Sequence, residues 1–82
     1  MNREKDILSI WKERITQETK YGDKKKACNV AGTTPTTYLT ALKKESLEDL
    51  TDGELRTLSV LITILDERKE KITQIHQQYE KA

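Results

Sequence analysis

Apolar positions recur along this chain at helical spacing and hardly ever at strand spacing. In EKDILSIWKERITQETK, residues 4–20, Ile7, Leu8, Trp11 and Ile15 fall three and four apart, with Ile10 beside them. That period predicts an amphipathic helix. Tyr21 and Gly22 end it, and Asp23 is expected to cap a second helix over 24–31, KKKACNVA, whose small and apolar members are Ala27, Cys28, Val30 and Ala31. Gly32 stops that helix. Thr34 then offers a capping oxygen and Pro35 a first helical residue without a needed N–H, so a third helix is expected over 35–44 with Tyr38, Leu39, Ala41 and Leu42 on its apolar side.

The acidic stretch ESLEDLTDGE carries Leu47 and Leu50 at a spacing that returns to the core. Thr51 followed by Glu54 has the form of a capping box and starts a last helix. No Pro or stop signal interrupts it, so it is expected to run to the C-terminus over about 45 Å. Leu58, Leu61, Leu65, Arg68, Ile72, Ile75 and Tyr79 follow one another three and four apart, a heptad seam broken only at Arg68. The half up to Leu65 is expected to pack as core. From Leu65 on, Leu65, Arg68, Ile72, Ile75 and Tyr79 form the expected interface with a second copy, in a homodimer or higher oligomer.

Those patterns imply an all-α fold: one compact helix-turn-helix domain of about four helices over residues 1–82, the motif at 23–44 and a long C-terminal helix at 52–82. With 82 residues, 34% hydrophobic and 35% charged, the chain lies below the roughly 45–50% apolar share of an average domain. It buries only about 60–65% of its unfolded surface, which leaves no room for a large substrate cavity. A single cysteine, Cys28, allows no internal disulfide and fits a reducing cytoplasm. Cys28 itself is expected as a small buried packing residue. The start, MNREKDILSIWKER, does not read as a signal peptide, and the longest apolar run, SVLITIL, is too short for a bilayer. No membrane association is expected. A lone His76, with no second ligand at metal spacing and no glycine-rich phosphate loop, leaves no catalytic residues, metal or cofactor to assign.

Charge changes the picture more than its total of +1 suggests. Residues 20–44 carry Lys20, Lys24, Lys25, Lys26, Lys43 and Lys44 against Asp23 alone, a local excess of five positive charges. Residues 45–54 carry five acids and no base. A local basic stripe binds phosphate whatever the overall pI. Here it brackets a short helix, a glycine break, a Thr-Pro start and a second helix, the layout of a helix-turn-helix. In such motifs the start of the second helix enters the major groove. Thr36, Thr37, Thr40 and Lys43 are therefore the expected base contacts, threonine offering both a hydroxyl and a methyl to base edges. Lys24, Lys25, Lys26, Thr34 and Lys44 are the expected phosphate contacts.

KKKACNVAGTTPTTYLTALKK resembles the helix-turn-helix of small phage and bacterial regulators of the Cro/repressor (XRE-like) type. Gly32 matches the turn glycine, Cys28 the small residue at the helix crossing, Thr34 the cap and Tyr38 the core residue of the recognition helix. Thr33 stands where an aliphatic residue is usual, and the third helix carries no outward Arg, Asn or Gln. The resemblance covers about a quarter of the chain. It implies a sequence-specific repressor of a phage or mobile element, bound to double-stranded DNA in the cytoplasm of a bacterial or phage-infected cell. A second reading keeps the fold and assigns the long helix to a protein partner, as in a small-terminase-like assembly factor.

Overall fold

The computed structural model describes residues 6–80. Four α-helices follow in order: α1 (Ile7–Glu18), α2 (Asp23–Ala31), α3 (Pro35–Leu42) and α4 (Asp52–Glu80), with one 3₁₀ turn, Leu47–Asp49, before α4. The described residues contain no strand, and the fold is all-α. No helix among them is long and apolar enough to cross a membrane.

Each boundary has a local cause. Asp6 accepts a hydrogen bond from the Leu8 N–H (2.9 Å) at the start of α1. Gly22 and Gly32 hold the left-handed conformation, at φ 91° and 73°, that lets the chain reverse at either end of α2. The Thr33 N–H then returns to the Cys28 carbonyl (2.9 Å), closing α2. Thr34 caps α3 through its hydroxyl, with Pro35 in the first turn. Thr51 and Glu54 form the expected reciprocal box: the Glu54 N–H donates to Thr51 Oγ1 (3.2 Å) and the Thr51 N–H to Glu54 Oε1 (2.9 Å).

α4 is the wall on which the other three helices lie. Leu58, Leu61, Ile62 and Leu65 meet Leu8 and Ile15 of α1, Ala27 and Cys28 of α2, and Tyr38 and Ala41 of α3 in one buried cluster. Trp11, Leu42, Leu47 and Leu50 close its edges, as their spacing predicts. Cys28 is buried, as expected of a small residue at the crossing. Leu39 departs from the expectation and stands 52% exposed. In a helix of eight residues only positions 38, 41 and 42 lie on one side, and Leu39 is turned a third of the circumference away. Ile7 and Ile10 are outward for the same reason.

Two polar clamps fix the helices. Asp23 is the first residue of α2 but does not cap its own N–H groups; Gly22 stands at that cap position and has no side chain to offer. Instead the buried Asp23 carboxylate accepts from Arg68 Nη2 of α4 (2.6 Å) and from the Lys20 N–H (2.8 Å). Arg68 also donates to the Glu18 carbonyl (3.3 Å), so one guanidinium joins α1, α2 and α4. The paired guanidinium holds Asp23 below the ordinary carboxylate range. The second clamp is Glu54, 4% exposed, which accepts from Thr40 Oγ1 (2.7 Å) and Lys44 Nζ (3.0 Å) besides Thr51. These donors lower its pKa from 4.5 to about 2 against the opposing effect of burial.

A depressed carboxylate stabilises the fold above its unfolded pKa and loses that contribution as pH falls through the folded value. Between pH 4.5 and about 2, Glu54 should withdraw about 3 kcal/mol. Urea unfolding across that window should show the decline, and Glu54→Gln should flatten it, leaving the decline that Asp23 and Glu18 contribute. At neutral pH, Arg68→Met should cost about 2 kcal/mol by leaving the Asp23 carboxylate unpaired. Adding Asp23→Asn should cost less in that background than in the parent chain; equal costs in both backgrounds would show that the two side chains are not coupled.

Candidate nucleic-acid interface

The turn between α2 and α3 sets the direction of α3, which carries the expected base contacts Thr36, Thr37 and Thr40. Gly32 reverses the chain, Thr34 ends the turn, and α3 leaves with Thr36 and Lys43 exposed on its outer side. Leu39 lies between them, so the outward ridge reads Thr36, Leu39, Lys43 at helical spacing. Thr37 is half-buried at the side of this ridge, and its N–H is held by the Thr34 hydroxyl at 3.4 Å.

Two of the sequence-derived contacts are turned elsewhere. Thr40 donates from one hydroxyl toward both the Thr37 carbonyl (2.9 Å) and Glu54 (2.7 Å), so it faces α4 rather than solvent. Lys44 donates to Glu54 and to the Asp49 carbonyl (3.2 Å), and its own carbonyl accepts from Lys12 Nζ. The residues beside α3 that were open to DNA by spacing alone are thus partly spent on the α3–α4 junction. An ammonium held by a buried carboxylate gives little to a phosphate.

The lysines before α2 are disposed differently. Lys24, Lys25 and Lys26 are all exposed in its first turn, and none forms an ion pair with a described residue. Lys24 Nζ lies 5.7 Å from the centre of the Tyr38 ring, within cation–π range. Lys20, Lys24, Lys25 and Tyr38 border an open groove of about 540 Å³ that runs past Gly22. The start of α2, where the helix dipole is positive, opens nearby. Asp23, the one acid in this region, is neutralised by Arg68 and does not oppose an anion there. Three lysines, a helix start without a side-chain cap and a buried tyrosine together suit a phosphate-bearing ligand.

Lys20, Tyr38 and Arg56 enlarge the set obtained from spacing. Arg56 lies on α4 but donates from Nε to the Ala31 carbonyl (2.8 Å), which brings a guanidinium to the end of α2 beside the turn. Lys20 was visible in the charge count. Arg56 had no signal, because it is distant in sequence and joins the turn only when α4 packs. In the segment that follows α3 in the chain, Glu45, Glu48, Asp49 and Asp52 are exposed. The α2–α3 unit is therefore polarised, with cations at the start of α2 and anions after α3.

Of the expected self-association seam, Leu65 is 1% exposed and belongs to the core, and Arg68 is committed to Asp23. The seam is corrected to its distal part, since its first two members are consumed within the chain. Ile72, Ile75 and Tyr79 remain exposed, on a stretch of α4 where every residue from Lys69 to Glu80 faces solvent. His76 lies in that stretch, and the described residues hold no group of three or more His, Cys, Asp or Glu side chains able to bind a metal. Comparison of the chain with protein-family models, with curated proteins and with solved structures gives no match.

Proposed function

We propose that this chain is a double-stranded-DNA-binding transcriptional regulator that reads its site with α3 and anchors to the backbone through the start of α2. The observation that carries this reading is the α2–turn–α3 unit itself: a left-handed Gly32, a Thr34–Pro35 helix start and an unpaired Lys24–Lys26 cluster on one side of it. Phosphates would meet Lys24, Lys25 and Lys26, with Lys20 extending the groove. Base edges would meet Thr36, Thr37 and Lys43, and Leu39 is placed to touch a thymine methyl. Thr40 and Lys44 support the geometry by fixing α3 on α4. Thr34 acts chiefly as the cap of α3.

A reader with so few hydrogen-bonding groups on its outer ridge gains affinity and selectivity by acting in pairs on two half-sites. Repression follows most simply, because a bound regulator of this size excludes polymerase by occupying the site. A phage or mobile-element origin, and a working place in the bacterial cytoplasm, rest on the resemblance of residues 24–44 to Cro/repressor-type motifs. The exposed end of α4 favours a second reading, an assembly factor of small-terminase type that forms rings through this helix.

Selection from randomised duplex DNA at near-physiological salt separates the two. An enriched two-fold sequence supports the regulator; uniform, salt-dependent binding supports an assembly or packaging role; no binding removes both DNA-based readings. Lys24→Ala and Lys25→Ala should each weaken binding to all duplexes and reduce the slope of log K against log salt by about one. Lys44→Ala should leave the slope nearly unchanged while lowering stability. Thr36→Ala should cost about 1 kcal/mol of discrimination at a single base position, read by repeating the selection.

A further inference from the structure

α4 has a second outward line that the Leu58–Leu61–Leu65 core stripe does not include. Val60, Ile64, Glu67, Lys71, Ile75 and Tyr79 follow one another three or four residues apart and fall on one side of the helix. Its first end is apolar and only half covered: Val60 and Ile64, with the exposed Val30 of α2, border an open groove of about 330 Å³. Its far end is also apolar, with Ile75 48% and Tyr79 75% exposed. Between the two ends stand one acid and one base, Glu67 and Lys71. Both are exposed, and neither pairs across to another described helix.

We propose that two copies of this chain associate through antiparallel pairing of α4, about a two-fold axis between Lys69 and Glu70. That axis lays Val60 against the partner's Tyr79 and Ile64 against the partner's Ile75. It brings Glu67 within one position of the partner's Lys71. Each contact occurs twice, as an isologous interface requires. The order apolar, acid, base, apolar is self-complementary only when one helix is reversed. Parallel pairing along the same line sets Glu67 beside the partner's Glu67 and Lys71 beside the partner's Lys71, a like-charge arrangement that disfavours it. The overlap from Val60 to Tyr79 spans about 30 Å, and it covers distal turns of α4 that the other described helices leave exposed. This pairing stands or falls independently of whether α3 reads DNA.

Disulfide trapping decides the direction. In a chain carrying Cys28→Ala, the variants Ile64→Cys and Ile75→Cys are made singly, with helicity checked by circular dichroism. Oxidising a mixture of the two should yield cross-linked dimer, and oxidising either alone should yield little. Cross-linking of each variant with itself would overturn the proposal in favour of a parallel pair. Absence of cross-links in every combination would overturn it in favour of another surface. Sedimentation of the unaltered chain as a monomer at several hundred micromolar would overturn it outright. Charge exchange supplies a second measurement that leaves the apolar contacts alone. Glu67→Lys and Lys71→Glu should each weaken association about tenfold, and the double exchange should restore it. A double variant no better than the singles would remove the acid–base register.

Discussion

Every short helix of this chain depends on burial against the first half of α4. α1, α2 and α3 have 12, 9 and 8 residues, lengths at which an isolated helix is marginal in water. Leu58, Leu61, Ile62 and Leu65 give all three a common apolar wall, and the small side chains of Ala27, Cys28 and Ala41 let their backbones approach it. A chain of this size has no second core to fall back on. The α2–α3 unit therefore inherits its geometry from α4, and disturbing the wall displaces α3 along with everything else.

Polar clamps then select one arrangement among those the apolar wall would tolerate. Leucine contacts are nondirectional, whereas Glu54 accepts from Thr40, Lys44 and Thr51 at once, so α3 has a defined rotation on α4. Asp23 and Arg68 do the same for α2. Both clamps also occupy side chains that would otherwise face solvent. They withdraw Thr40, Lys44 and Arg68 from solvent, and with them a hydroxyl and two cations that the sequence pattern left open for partners. What remains exposed is narrower and more polarised: a lysine cluster at the start of α2, a spare ridge on α3, and an acidic border after it.

The long helix serves two neighbourhoods. Up to Leu65 it is core; from Lys69 onward it is bare. Arg68 marks the change, since its guanidinium still reaches back to the Glu18 carbonyl and the Asp23 carboxylate. The apolar residues beyond it, Ile72, Ile75 and Tyr79, stay exposed at helical spacing, and in the proposed pairing the acid and base between the two apolar ends of α4 match a reversed copy of themselves. The proposed DNA-reading role of α3 and the proposed pairing of α4 fit together, because a paired reader would engage two half-sites at once.

By itself the sequence determined the elements. Period, capping residues and glycines are local properties, so the four helices, the capping box at Thr51–Glu54, the glycine breaks at 22 and 32 and the uninterrupted last helix were legible without a structure. The basic cluster at 24–26 was legible too, because charge needs no partner to be seen. Tertiary structure decided which side chains were free. Thr40 and Lys44 have the same spacing whether they face DNA or Glu54, and only the packing of α3 on α4 chose. Arg68 looked like a fault in a heptad seam until α2 brought Asp23 within 2.6 Å. Arg56 reached the turn only across a gap of 25 residues. Spacing specifies the face on which a residue lies, but the partner on that face comes from elsewhere in the chain, and only the fold brings it there.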